Sequence, residues 1–189
     1  MKEMNKNCAI NKSMLLCILT VLSYKERVQM EKEDIAYRQQ VVNTYKSDVE
    51  KLIRYLPWLK EKSGAGDSVA ETYEGSGIRE NSISFLVYDS TLMSFIKEIQ
   101  KTGLLDRNYP YIYSRYGLRT VKDELKAISR ADIREMDLLK GILSKYVMGG
   151  MTKGKMWTEA VANGIFYNVV SRMKENLEFW DTTRQVDRR

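Results

Sequence analysis

Residues 138–157, LLKGILSKYVMGGMTKGKMW, decide the fold. Gly149, Gly154 and Lys155 approach the pattern of a phosphate-binding loop, where two spaced glycines precede Lys and then Ser or Thr. In such a loop backbone N–H groups cradle the phosphates, Lys neutralises them and the hydroxyl holds Mg²⁺. Met156 occupies the hydroxyl position and cannot ligate a metal. A phosphate loop also follows a buried strand, whereas Leu138, Leu139, Ile142 and Leu143 recur at helical spacing. The segment therefore reads as a helix that stops at Gly149 and Gly150, with a tight turn at Gly154 that presents Trp157 to a core. Lys153 and Lys155 flank that turn. The alternative, a nucleotide held in the glycine loop with residues 83–89 as a metal-binding strand end, would make the protein an enzyme.

Upstream, a helix starting near Asp132 buries Ile133, Met136, Leu139 and Leu143 and runs to about Val147. Thr120 opens another, with Val121, Leu125 and Ile128 inward. Residues 106–116, DRNYPYIYSRY, read as a loop that alternates aromatic and basic side chains. Asp89 or Ser90 caps a helix with the apolar face Leu92, Phe95, Ile96 and Ile99, and Gly103 is expected as its left-handed stop. Residues 83–88 read as a short strand after a small, polar, glycine-containing stretch. Ser47 and Glu50 form a capping box that opens a helix carrying Val49, Leu52, Ile53 and Leu56, which Pro57 bends or ends. The expected class is mainly α, with at most a small sheet near residues 68–88, in a compact multi-helix domain. Residues 46–180 are expected to form that single domain, 1–45 a helical extension or appendage, and 181–189 a polar tail.

Composition narrows the chemistry. The 189 residues, 43% hydrophobic and 30% charged with two prolines, describe a globular chain able to bury a core. The chain has no histidine, which removes Ser-His-Asp and Cys-His nucleophilic sites, imidazole general bases and most zinc sites. Cys8 and Cys17 make neither a disulfide framework nor a C-x-x-C pair, usage that suits a reducing cytoplasm. No cofactor or metal is expected. The formal charge of +6 favours acidic partners such as nucleic acid or a negatively charged protein face, and argues against mimicry of DNA.

At the N-terminus Lys2, Lys6 and Lys12 precede an apolar run over residues 14–22, which imitates the start of a signal peptide. The run is shorter than the roughly 20 residues of a membrane-spanning helix, and no small-x-small cleavage site follows. An apolar helix packed on the body or on another chain, an upstream extension from an early start codon, and an export signal remain open. No membrane association is expected.

Gly150, Gly154 and Trp157, then Asn163 and Gly164 before Ile165, Val169 and Met173, carry a resemblance. Over roughly its last hundred residues the chain resembles a bacterial and phage family of unknown function, whose members pass from a helix through a Gly-containing turn to a Gly-x-Trp segment and a final helical pair. The helix and glycine stop at residues 89–103, with SFIKEIQKTG as the second half, are similar to the element that precedes it there. Between the two glycines this chain has Met151, Thr152 and Lys153 where the family carries charged and aromatic residues. The resemblance implies a helical fold and a setting of bacterial, phage and mobile-element genes, and it implies no catalytic residue.

The candidate contact surface is basic. Arg119, Lys122, Lys126 and Arg130 recur at three- or four-residue spacing, so a helix aligns them on one edge away from its apolar face. Arg107 and Arg115 join from the preceding segment beside Tyr109, Tyr111, Tyr113 and Tyr116. Cations attract phosphates and exposed aromatics stack on unpaired bases. The competing reading is a solvated helix face with half-buried tyrosines, its charge partly cancelled by Asp123 and Glu124. The pairs Asp123–Glu124 and Glu175–Glu178 read as solvated, and Met148, Met151, Met156 and Met173 as core filling. Together these features imply a non-enzymatic binding protein of a phage or mobile element in the host cytoplasm. It would inhibit a host protein or ribonucleoprotein complex, most concretely a defence nuclease in the manner of an anti-CRISPR. The alternative of a nucleic-acid-binding regulator, with RNA or DNA as its direct partner, stays open.

Overall fold

The structure, a computed structural model, describes residues 12–64, 69–73 and 85–186. Residues 1–41 and 42–189 form separate units. In the first, the described residues are helical, and Ile35 and Tyr37 on that helix are exposed. No described helix is long and apolar enough to cross a membrane. Of the N-terminal expectations, residues 1–11 lie outside the described residues, and the apolar run at 14–22 falls within helix α1, Lys12–Ile53.

The protein is mainly α, with one two-stranded antiparallel sheet among the described residues. From Val42 onward α1 belongs to the second unit and buries Val42, Val49 and Leu52. Ser47 and Glu50 do not open a helix, because α1 passes through them without a break. The chain turns at Arg54 and Tyr55 and resumes as α2, Leu56–Lys62, where Pro57 sits in the first turn and needs no N–H partner. Strands β1, Ala70–Tyr73, and β2, Phe85–Tyr88, pair in the register Ala70 to Tyr88 and Tyr73 to Phe85. The first part of the strand expected over 83–88, residues 83 and 84, lies outside the described residues.

Asp89 caps α3, Ser90–Gln100, by accepting from the amides of Thr91 (2.6 Å) and Leu92 (3.4 Å). Leu92, Phe95, Ile96 and Ile99 are buried, as their spacing requires. Phe95 stacks edge-on against Tyr55 and Phe166, with ring centroids 5.3 and 5.2 Å away. Gly103 is not a left-handed stop: α3 ends at Lys101 in a right-handed conformation, and the Gly103 N–H donates to Asp48 Oδ2 at 2.8 Å.

The segment expected as a loop over 106–116 is mostly helical. Pro110 lies in the first turn of α4, Tyr109–Tyr116, where its ring presets φ, and Gly117 at φ +63° stops the helix. Helix α5, Val121–Arg130, starts from a capping box in which Thr120 and Asp123 each accept the other's backbone N–H. A short 3-10 turn, Ile133–Glu135, leads into α6, Met136–Gly150. That helix lies at the centre of the unit, against α4, α5, α7 and α8, and is buried on almost every side. Helix α7, Lys155–Ala162, and α8, Ile165–Val186, close the core with Trp157, Ala160, Val161, Ile165, Phe166, Val169, Val170 and Met173. Arg172 and Asn176 of α8 donate to the Ala131 carbonyl, tying α8 to the end of α5.

Candidate functional site

The outer edge of α5 keeps the basic character its spacing implies. Arg119, Lys122, Lys126 and Arg130 are all exposed, and the last three stand one turn apart on the helix. Among the described residues none of the four side chains enters an ion pair. Of the two carboxylates expected to cancel this charge, Asp123 stays ionised beside Lys126 while it caps the helix, and only Glu124 is withdrawn. Asp123 Oδ2 accepts from the Thr120 hydroxyl and from the amides of Thr120 and Arg119, hydrogen bonds that hold its carboxyl below the ordinary aspartate range.

Glu124 is not a solvated residue of that edge. It is fully buried and points inward from α5. Its Oε1 accepts from the Tyr113 hydroxyl of α4 at 2.8 Å and from Lys145 Nζ of α6 at 2.6 Å, and its Oε2 accepts from the Tyr146 hydroxyl at 2.7 Å. The Lys145 ammonium also lies over both tyrosine rings, 4.7 and 4.9 Å from their centroids. One carboxylate thus fastens three helices. A sequence signal for it exists: Glu124 sits three residues after Val121 and four before Ile128, on the helix's inward face.

Burial, reinforced by the Glu124 charge and its hydrogen bonds, pushes both Tyr113 and Tyr146 above the ordinary tyrosine value of about 10. A raised folded-state pKa means the unfolded chain deprotonates first. The stability these hydroxyls contribute is therefore complete below about pH 10 and declines as pH rises above it. Urea unfolding at increasing alkaline pH is expected to show that decline, at up to about 1.4 kcal/mol per pH unit for each tyrosine. Tyr146→Phe should flatten the slope, and an equal slope in both proteins would show that the Tyr146 hydroxyl titrates freely.

The four tyrosines of α4 do not form one open stacking surface. Tyr113 is consumed by Glu124, Tyr109 meets it edge-on at 6.4 Å, and Tyr116 lies under the Arg115 guanidinium at 5.3 Å. Arg115 pairs with Asp137 at 3.2 Å. Tyr111 is different, being 58% exposed, and Arg107 one turn before it is exposed too.

The glycine turn is a packing device. Gly149 and Gly150 form the end of α6, and Gly154 precedes α7. The turn follows a helix, and several of its amides are committed: Thr152 and Lys153 donate to Gly149, Met156 to Lys153 and Trp157 to Gly154. Asp89, the carboxylate offered for a metal in the nucleotide reading, is the α3 cap. Lys153 and Lys155 are exposed, whereas Trp157 is 8% exposed and its indole N–H donates to the Val147 carbonyl at 3.0 Å. Met173 is core, but Met151 is 59% exposed and fills nothing. The comparisons with protein-family models, curated proteins and solved structures return no match.

Proposed function

We propose that this is a non-enzymatic binding protein that occupies a polyanionic macromolecular partner through the outer edge of α5. Its concrete form is a phage or mobile-element inhibitor of a host defence nuclease loaded with nucleic acid. The observation that carries the reading is the withdrawal of Glu124 into the core, which leaves four exposed cations without ion-pair partners against the single charge of Asp123. Such an edge attracts phosphates through counterion release and keeps its charge ready without breaking internal pairs. The same edge supports the second reading, direct binding of RNA or DNA as a regulator.

The double change Lys122→Glu, Lys126→Glu separates these from passive solvation. Because exposed charges contribute only about 0–1 kcal/mol, folding should be nearly unaffected. In a cleavage assay with a guide-loaded nuclease the unaltered protein should slow cleavage, and the variant should fail to do so, with a deficit that shrinks as salt rises. Inhibition that survives the charge reversal removes the edge as the contact. Nucleic-acid binding without any inhibition selects the regulator.

A further inference from the structure

We infer that the α5 edge grips a nucleic-acid backbone by charge alone and reads no base, so that its ligand is a phosphate chain of any sequence. This rests on the reading of that edge as a polyanion surface and specifies its ligand. Between residues 119 and 130 the exposed side chains are those of Arg119, Thr120, Lys122, Lys126, Ser129 and Arg130. The two without charge have no donor left for a base. The Thr120 hydroxyl donates to Asp123 Oδ2 at 2.9 Å, and the Ser129 hydroxyl donates to the Lys126 carbonyl at 2.9 Å. Asp123 Oδ2 also takes the amides of Arg119 and Thr120, so it is spent on the cap.

Base edges are read by groups of fixed geometry, such as the amide of Asn or Gln against adenine and the arginine fork against guanine. The stretch holds no Asn or Gln, and its centre is Lys122 and Lys126, point charges on flexible stems with no planar fork. Arg119 and Arg130 stand at its two ends, so no run of neighbouring bases meets forked donors. What remains is a row of charge. Lys122, Lys126 and Arg130 follow one another at about 6 Å along α5, four residues at the rise of an α-helix, and within the stretch only Asp123 sets a surface negative charge against them. Such a row meets phosphates, which position a protein on nucleic acid and carry no sequence information. Indifference to sequence suits an inhibitor of a guide-loaded nuclease, whose guides differ from one another. It leaves a regulator no means at this edge of choosing an operator.

Fluorescence anisotropy with the full chain, labelled DNA duplexes of equal length and different mixed sequence, and unlabelled inorganic polyphosphate as competitor tests this. Affinities for the duplexes should differ by less than about 5-fold, the smallest effect of losing one specific base contact. Polyphosphate should displace every duplex. The slope of log affinity against log salt should be about −3.6, or 0.9 for each of four cations, and Lys122→Glu with Lys126→Glu should at least halve it. Lys122→Arg with Lys126→Arg should retain the affinity, and Ser129→Ala should change nothing. If one sequence is preferred by more than that margin, if Ser129→Ala weakens binding to one sequence, or if polyphosphate fails to compete while charge reversal abolishes binding, the charge-only inference falls and the basic edge stands. If no duplex binds, or charge reversal has no effect, the edge itself is wrong.

Discussion

Trp157→Ala is expected to cost about 3–5 kcal/mol of stability, among the largest effects of a single change in this chain. For a domain of this size that corresponds to a fall in thermal midpoint of roughly 6–20 °C. The indole fills the space where α7 returns across the end of α6, is 8% exposed, and meets Tyr88 of β2 edge-on at 5.2 Å. Gly150 makes that approach possible, since any Cβ there would overlap the indole ring. The ring is also a hydrogen-bond donor, and its N–H reaches the Val147 carbonyl, which lies in the last turn of α6 where helix carbonyls lack intrahelical partners. Trp157→Phe keeps most of the burial and leaves that carbonyl unpaired, so it should cost less, about 1–3 kcal/mol. Thermal and urea unfolding of the two variants would check the order. A midpoint shift too small to resolve in Trp157→Ala would place the residue at the surface.

The burial of Trp157 was legible because a near-match to a phosphate loop without its strand and hydroxyl left only the packing role for the two glycines. Helix α3 was legible for the same kind of reason: Asp89 and the Leu92, Phe95, Ile96 and Ile99 face are local signals, and local signals agree with the fold there. Where tertiary partners decide, the reading failed. Asn108, Pro110 and alternating tyrosines look like turn chemistry, yet Pro in a first turn favours a helix start, and the burial of Ile112 secures α4. Ser47 and Glu50 match a capping box, but nothing in a four-residue motif reveals that the preceding residues are also helical. Gly103 follows α3 as a stop should, but Asp48, distant in sequence, takes its N–H instead. The basic edge was read by periodicity. Its counterweight was not legible, because Glu beside Lys on a helix is ordinarily solvated, and only Tyr113, Lys145 and Tyr146 on other helices make burial of Glu124 tolerable.

Glu124→Ala is expected to destabilise the protein by about 3–5 kcal/mol, the range for breaking a buried charged pair by removing one partner. The attraction of Lys145 is the smaller part, because that side chain is 29% exposed and water screens its charge. The larger part comes from the hydroxyls of half-buried Tyr113 and buried Tyr146, which lose a charged acceptor, together with the space the side chain vacates. Both terms place the effect toward the lower end, near about 3 kcal/mol. Glu124→Gln preserves the shape and one acceptor oxygen but loses the charge, and should cost about half as much. In a double-mutant cycle, Lys145→Met should be less costly in the Glu124→Gln background than in the unaltered protein, since the ion pair is then already gone. The consequence reaches the basic edge, because Glu124 is the tie between α5 and α4. Even where Glu124→Ala remains folded, amide exchange in residues 109–130 should quicken relative to α8. Unchanged stability and unchanged exchange would mean that the carboxylate is solvated, and would restore its negative charge to the α5 edge.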